Sequence, residues 1–143
     1  MVDKKWTYQL EPGENLEPLE FTVTPEFNQQ YLEAIEDWHP RYHKTTNAGP
    51  PIVHPALLVN YSNIIKPPSF KLPIGMAAVH SHEEIEFHNP GRVGDTFRVT
   101  WKVIDVYEKR GRMYQVKEAL IVNKKNLPII KRKLTDTYIS GKG

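Results

Sequence analysis

The sequence predicts an α+β domain in which one long antiparallel β-sheet wraps a single central α-helix. Three observations carry that expectation. Leu57, Leu58, Tyr61, Ile64 and Ile65 recur at i, i+1, i+4, i+7 and i+8, one wide apolar face of a helix. Everything after residue 76 alternates apolar and polar residues with the period of strands. The strands are separated only by short turns, so neighbours in sequence form hairpins and an antiparallel sheet.

Residues 1–16 are polar, with Trp6, Tyr8 and Leu10 alternating as a short edge strand, and residues 18–139 form the core of a single domain spanning 1–143. Leu19, Phe21 and Val23 alternate, giving a first strand over 18–23. Thr24-Pro25 is an N-cap followed by a first-turn proline. Phe27, Tyr31, Ile35 and Trp38 then share one face of a helix over about 25–38, which His39-Pro40 stops. Residues 39–53 form a loop too long to be mere connection, and loops of that kind often carry function. Pro55 opens the central helix, where a missing N–H costs nothing, and Lys66-Pro67-Pro68 closes it. A proline-rich link over 66–75 leads to the strands.

In the first of these, Val79, Ile85 and Phe87 take one parity, and His80, His82, Glu84, Glu86 and His88 the other. After the turn Asn89–Asp95, Phe97, Val99, Trp101 and Val103 alternate with Arg98, Thr100 and Lys102. This parity should face the helix. Tyr114, Val116, Leu120 and Val122 mark the next strand, and about 128–139 the last.

Composition narrows the function. A chain of 143 residues suits one domain with a reasonable core, and its net charge of +2 gives no footprint for nucleic acid. The absence of cysteine excludes disulfides and thiolate chemistry and fits a reducing cytoplasm. No apolar run reaches a membrane span, and the charged N-terminus lacks a signal-peptide core. The expectation is a cytoplasmic protein with no membrane or nucleic-acid partner.

One helix clasped by a long antiparallel sheet is the hotdog architecture. The run from His80 to Asp95, His-Ser-His-Glu-Glu-Ile-Glu-Phe-His-Asn-Pro-Gly-Arg-Val-Gly-Asp, resembles the strand-turn-strand of MaoC-like acyl dehydratases, where an aromatic, a proline and Gly-Asp recur in this order. Val103–Arg112 and the Glu118-Ala119 region resemble the next strands of the fatty-synthase-type branch of that family. Gly49–Leu58 resembles the proline-rich approach to its central helix. The resemblance covers roughly 18–139 and implies reversible hydration of a 2-enoyl-CoA or 2-enoyl-ACP without a cofactor. It also implies a homodimer or a heteromer with a second hotdog subunit, which could lend a missing acid to a shared site.

Such chemistry needs an acid and a base, and N–H donors on the thioester carbonyl where charge develops. A helix N-terminus supplies such donors. Gly49, Ala56 and Leu57 are therefore the expected substrate-binding positions at the start of the helix, with the N–H groups of Ala56 and Leu57 on the carbonyl. The family's catalytic segment reads Asp-x-Asn-Pro-apolar-His. Here His54 has Gly49 five positions before it, and no acid lies between Asp37 and His54. Asn47 is the nearest polar match and is no base.

His54 reads as an acid/base or as a helix cap whose imidazole meets exposed backbone. His80 is a second catalytic candidate; with His82 it has His-x-His spacing, which suits a metal or, more simply, a solvated or dimer-facing surface. Arg110, in the basic tip Lys109–Arg112, is a candidate for phosphates of CoA or of a carrier protein, beside a plain solvated hairpin. Three functions remain open: a hydro-lyase, a non-catalytic subunit that binds the acyl chain beside an active homologue, and an acyl-CoA thioesterase.

Overall fold

A computed structural model describes residues 5–141. Five strands form one sheet: β1 (Asn15–Thr22), β2 (Met76–Phe87), β3 (Thr96–Lys109), β4 (Arg112–Asn123) and β5 (Pro128–Ser140). Their spatial order is β1-β3-β4-β5-β2, and every pairing is antiparallel. The central helix α3 (Pro55–Ile64) lies against the inner face. Phe97, Val99, Trp101 and Val103 are buried, as their alternation requires, and the first three share a core with Leu57, Leu58, Ala119, Ile121, Ile130 and Leu134. Tyr61 packs against that core from α3. This is the α+β hotdog arrangement that the sequence implies.

Local chemistry moves several boundaries. Helix α1 (Pro25–Ile35) starts where Thr24 caps it, Oγ1 accepting from Phe27 N at 3.1 Å. It stops short of Trp38, because Glu36 turns into the left-handed region (φ 55°) and Asp37 N donates to Leu32 O. Pro40, expected only to break structure, instead opens a one-turn helix α2 (Pro40–His43), for which proline is suited at the first position. The alternation of Trp6, Tyr8 and Leu10 is not a strand. Thr7–Gln9 is a 3₁₀ turn whose Thr7 is buried, and Gln115 Nε2 donates to the carbonyls of Thr7 and Leu10 at 2.9 and 3.1 Å.

The largest correction concerns β2. His80 pairs with Asp136 but His82 pairs with Thr135, so Ser81 is the extra residue of a bulge. The alternation changes phase there. His80 shares the inner face with Glu83, Ile85 and Phe87, opposite Asp136, Leu134, Arg132 and Ile130; Val79 shares the outer face with His82, Glu84 and Glu86. His80 and His82 therefore point to opposite faces and cannot share a metal.

The far end of α3 is held by charge rather than by apolar packing. Arg132 is fully buried and donates to Ser62 Oγ at 2.6 Å, to Asn63 Oδ1 at 2.7 Å and to the Glu83 carboxylate. Beside it Lys117 Nζ uses all three donors, to Gln115 Oε1, Asp136 Oδ2 and Tyr138 Oη at 3.1, 3.1 and 2.9 Å. His80 bridges the two groups, Nδ1 lying 2.9 Å from Asp136 and Nε2 3.0 Å from Glu83.

Candidate active site

The start of α3 is braced by the Asn89–Asp95 turn. Val53 N donates to Gly91 O at 2.8 Å and Val93 N to Pro51 O at 2.9 Å. Gly94 N and Asp95 O bond in turn to Val23 O and Val23 N, the residue between β1 and α1. The Gly-Asp pair thus ties three segments together: the end of β1, the turn, and the extended approach to His54. Gly94 needs its positive φ of 92°.

His54 is the N-cap of α3. Its Nδ1 accepts from Ala56 N at 3.1 Å, and Leu57 N donates to His54 O at 3.0 Å. Both N–H groups expected to face a thioester carbonyl are therefore paired inside the cap. The cap bond also settles the ring: an accepting Nδ1 carries no proton, so the proton sits on Nε2. That Nε2 faces Asp37 Oδ2 at 3.4 Å, with both side chains partly open to solvent.

Asp37 is positioned as firmly as His54. Its N–H is held by Leu32 O, its Oδ1 accepts from His39 N at 3.0 Å, and its carbonyl lies 2.8 Å from His43 Nε2. Tyr42 packs on the His54 ring at 4.8 Å between centroids and Tyr31 at 5.8 Å. Asn28 Nδ2 donates to Tyr42 O and fixes α2 against α1. A cavity of about 330 Å³ opens beside the dyad, walled by Tyr42, Val53, Pro55, Leu58, Phe87 and Gly91. Neither Asp37 nor His54 lines it; Tyr42, which packs on the His54 ring, and Pro55, the next residue in the chain, do.

Of the positions expected from sequence, His54, Ala56 and Leu57 meet at this place. Gly49 closes a turn with Thr46, and Asn47 is exposed at its tip. Arg110 lies in the β3–β4 hairpin, at the end of the sheet where Tyr114 pairs with Thr137 and Thr137 with Val79. The cavity is at the other end, where Ile121 pairs with Ile130 and Ile130 with Phe87. His80 belongs to the charged cluster under the C-terminal turn of α3, so it does not join His54 either.

Asp37 and Tyr42 are the neighbours of His54 that sequence reasoning missed. The signal was present: Asp37-Trp38-His39-Pro40-Arg41-Tyr42 follows Asp-x-Asn-Pro-apolar-His at its Asp and Pro. His39 stands in the place of Asn, Arg41 of the apolar residue, and Tyr42 of the histidine. Measuring back from His54 hid this, because the acid is brought to His54 by folding rather than by local spacing.

Similarity to known proteins agrees with this reading of the fold. The (R)-hydratase from A. caviae involved in PHA biosynthesis superposes with a TM-score of 0.71 at 18% identity, over 90% of this chain and 96% of that one. The MaoC-like dehydratase from Rhodospirillum rubrum gives 0.73 at 13%, over 97% and 99%. The HadBC (3R-hydroxyacyl-ACP dehydratase) complex from Mycobacterium tuberculosis gives 0.71 at 18%, over 88% and 96%. No curated protein matches the chain by sequence. The family model for the FAS1-like dehydratase domain region matches residues 11–132. A match over that much of the chain places it: the protein belongs to the FAS1-like dehydratase-region family.

Proposed function

We propose that this protein is a hydro-lyase that reversibly adds water across the double bond of a 2-enoyl thioester, carried on CoA or on an acyl carrier protein. The observation that supports it most is the Asp37–His54 pair at the start of the central helix, in a chain of a dehydratase family. Asp37 is the base: its carboxylate takes a proton from water as the oxygen bonds to C3. The same proton is then delivered to C2, so the net change is one water added. His54, neutral with its proton on Nε2, donates a hydrogen bond to the water or to the developing enolate. The 3.4 Å separation is longer than a strong charge-assisted hydrogen bond, and such contacts commonly tighten only around a substrate. The acyl chain runs into the cavity lined by Leu58 and Phe87. The carbonyl gains the N–H of Ala56 only if the His54 cap bond opens. A second hotdog subunit is the expected partner, and the domain is read as single over 1–143, acting in the cytoplasm.

Tyr42 in the place of the motif histidine, and the paired N–H groups of Ala56 and Leu57, favour a second reading: a subunit that binds the acyl chain beside an active homologue. Kinetics separate the two. Hydration of crotonyl-CoA by the purified chain should fall roughly 10²–10⁴-fold in Asp37→Asn and in His54→Ala, the usual worth of a positioned acid or base. The Asp37→Asn variant should melt close to wild type, and His54→Ala lower by about the value of an N-cap, ~1 kcal/mol. A wild-type chain that binds the thioester without hydrating it decides for the partner subunit.

A further inference from the structure

The link that follows α3 places two lysine side chains on one aromatic ring. Phe70 N donates to Pro67 O at 2.8 Å, so the chain turns back after Lys66 and sets the Phe70 ring against the core. Lys66 Nζ lies 4.8 Å from the centroid of that ring and Lys117 Nζ 5.8 Å. The two differ in what holds them. Lys117 is buried and donates to Gln115, Asp136 and Tyr138, and the Tyr138 hydroxyl spends its own proton on Gln115. Three donated bonds from one nitrogen require the ammonium form. Lys66 Nζ has no hydrogen-bond or ion-pair partner among the described residues. The nearby carboxylates are taken: Asp136 by Lys117 and His80, Glu83 by Arg132 and His80. The Lys66 residue as a whole is exposed while its Nζ tucks against the ring, so the nitrogen is partly desolvated yet within reach of a reagent.

We infer that Lys66 is a site of covalent modification, its amine taking the acyl group of a small thioester. The Nζ electron pair bonds to the thioester carbonyl carbon and the C–S bond breaks with its electrons to sulfur. The amine proton ends on the thiol, and an amide remains. The step needs a neutral amine. Desolvation favours that form at Lys66, and so does repulsion from Lys117 and from Arg132, against a weaker pull from Asp136. Of the two amines on the ring, Lys117 keeps its proton because its three acceptors hold it, and Lys66 is the one to yield. Acylation also removes a charge that its neighbours repel, so the modified fold is relieved rather than strained.

This inference goes beyond the proposed hydration and does not depend on it. The test uses acetyl-CoA, a thioester without a double bond, so neither hydration nor addition at C3 competes with acylation. The chain has no cysteine, so no thiol intercepts the acyl group. The purified chain is incubated at about pH 8, where an ordinary lysine is almost wholly protonated, and the acetylation rate of each lysine is read by peptide mass spectrometry. Lys66 should react roughly fivefold or more faster than the median of the other lysines, as suits an amine activated by desolvation and neighbouring cations. In guanidinium chloride, where the ring and the cations are no longer gathered around it, that excess should disappear. A Lys66 rate at or below the median in the folded chain overturns the inference. An excess that persists in the unfolded chain overturns it too, because the local sequence and not the fold would then be its cause. Crotonyl-CoA hydration by the same preparation reports separately on the proposed function.

Discussion

Lys66 sits where the fold disfavours its charge. Its ammonium lies 4.8 Å above the Phe70 ring, next to a cluster that already holds Lys117 and Arg132. Desolvation, then repulsion from Lys117, lowers its pKa from the ordinary lysine value of 10.5. A lowered folded-state pKa means that the folded protein resists the proton which the unfolded chain keeps. The penalty is thus complete at neutral pH and fades as pH rises toward 10.5. Lys66→Met keeps a side chain that packs on the ring and removes the charge. It should raise the melting temperature at pH 7 by roughly 1–3 °C, small because solvent screens the exposed side. The gain should be smaller as pH nears the ordinary lysine value of 10.5 than at pH 7. Above about pH 10 a second group intervenes: burial raises the pKa of Tyr138, so the unfolded chain ionises first and stability falls. An equal gain at both pH values would remove Lys66 from the account. At this scale the sequence was half legible. His54 stood out by its place before Pro55, but Asp37 did not, because only the reversal after Glu36 and the turn of α2 carry it across to the imidazole.

The elements themselves were readable from period alone, since alternation needs nothing beyond the chain. What alternation could not give is the side on which β2 lies. His80, His82, Glu84, Glu86 and His88 run as an unbroken polar parity, and Ser81 suits either a regular strand or a bulge. Long-range partners decide it: Ile85 and Phe87 face inward opposite Arg132 and Ile130, while Arg132 needs the Glu83 carboxylate. Arg132 is therefore the pin between β2, β5 and the end of α3. Arg132→Leu leaves Glu83 with only the His80 imidazole, and Ser62 and Asn63 without their guanidinium donor. Breaking one partner of a buried pair costs about 3–5 kcal/mol. Urea unfolding should show a loss of that size, and the double change Arg132→Leu/Glu83→Leu should recover much of it, since no buried charge is then stranded. Additive losses in the double variant would mean that Arg132 acts mainly through α3.

For the whole molecule, the question is how a site on loops and a helix terminus stays aligned with a sheet built from residues far along the chain. The Asn89–Asp95 turn is the strut, and Gly91 is its point of contact. A glycine in a turn ordinarily serves conformational freedom, yet Gly91 has no positive φ, unlike Gly94 and Gly111. Its role is closeness. A Cβ at Gly91 would lie 2.7 Å from Phe97 Cζ and 3.3 Å from Leu58 Cδ1, both buried in the core. Gly91→Ala must push the turn away from the sheet or displace Phe97, which is fully enclosed. Overpacking of this kind costs typically 1–3 kcal/mol. The displacement does not stop there, because Gly91 O holds Val53 N, and His54 follows directly. The variant should therefore lose stability by that amount and, under conditions where it remains folded, hydrate crotonyl-CoA with kcat reduced at least tenfold and KM changed less. Ångström-scale misplacement of catalytic groups has effects of that order. A stable Gly91→Ala protein with unaltered kcat would show that the start of α3 is held by other contacts and that the turn is free to move.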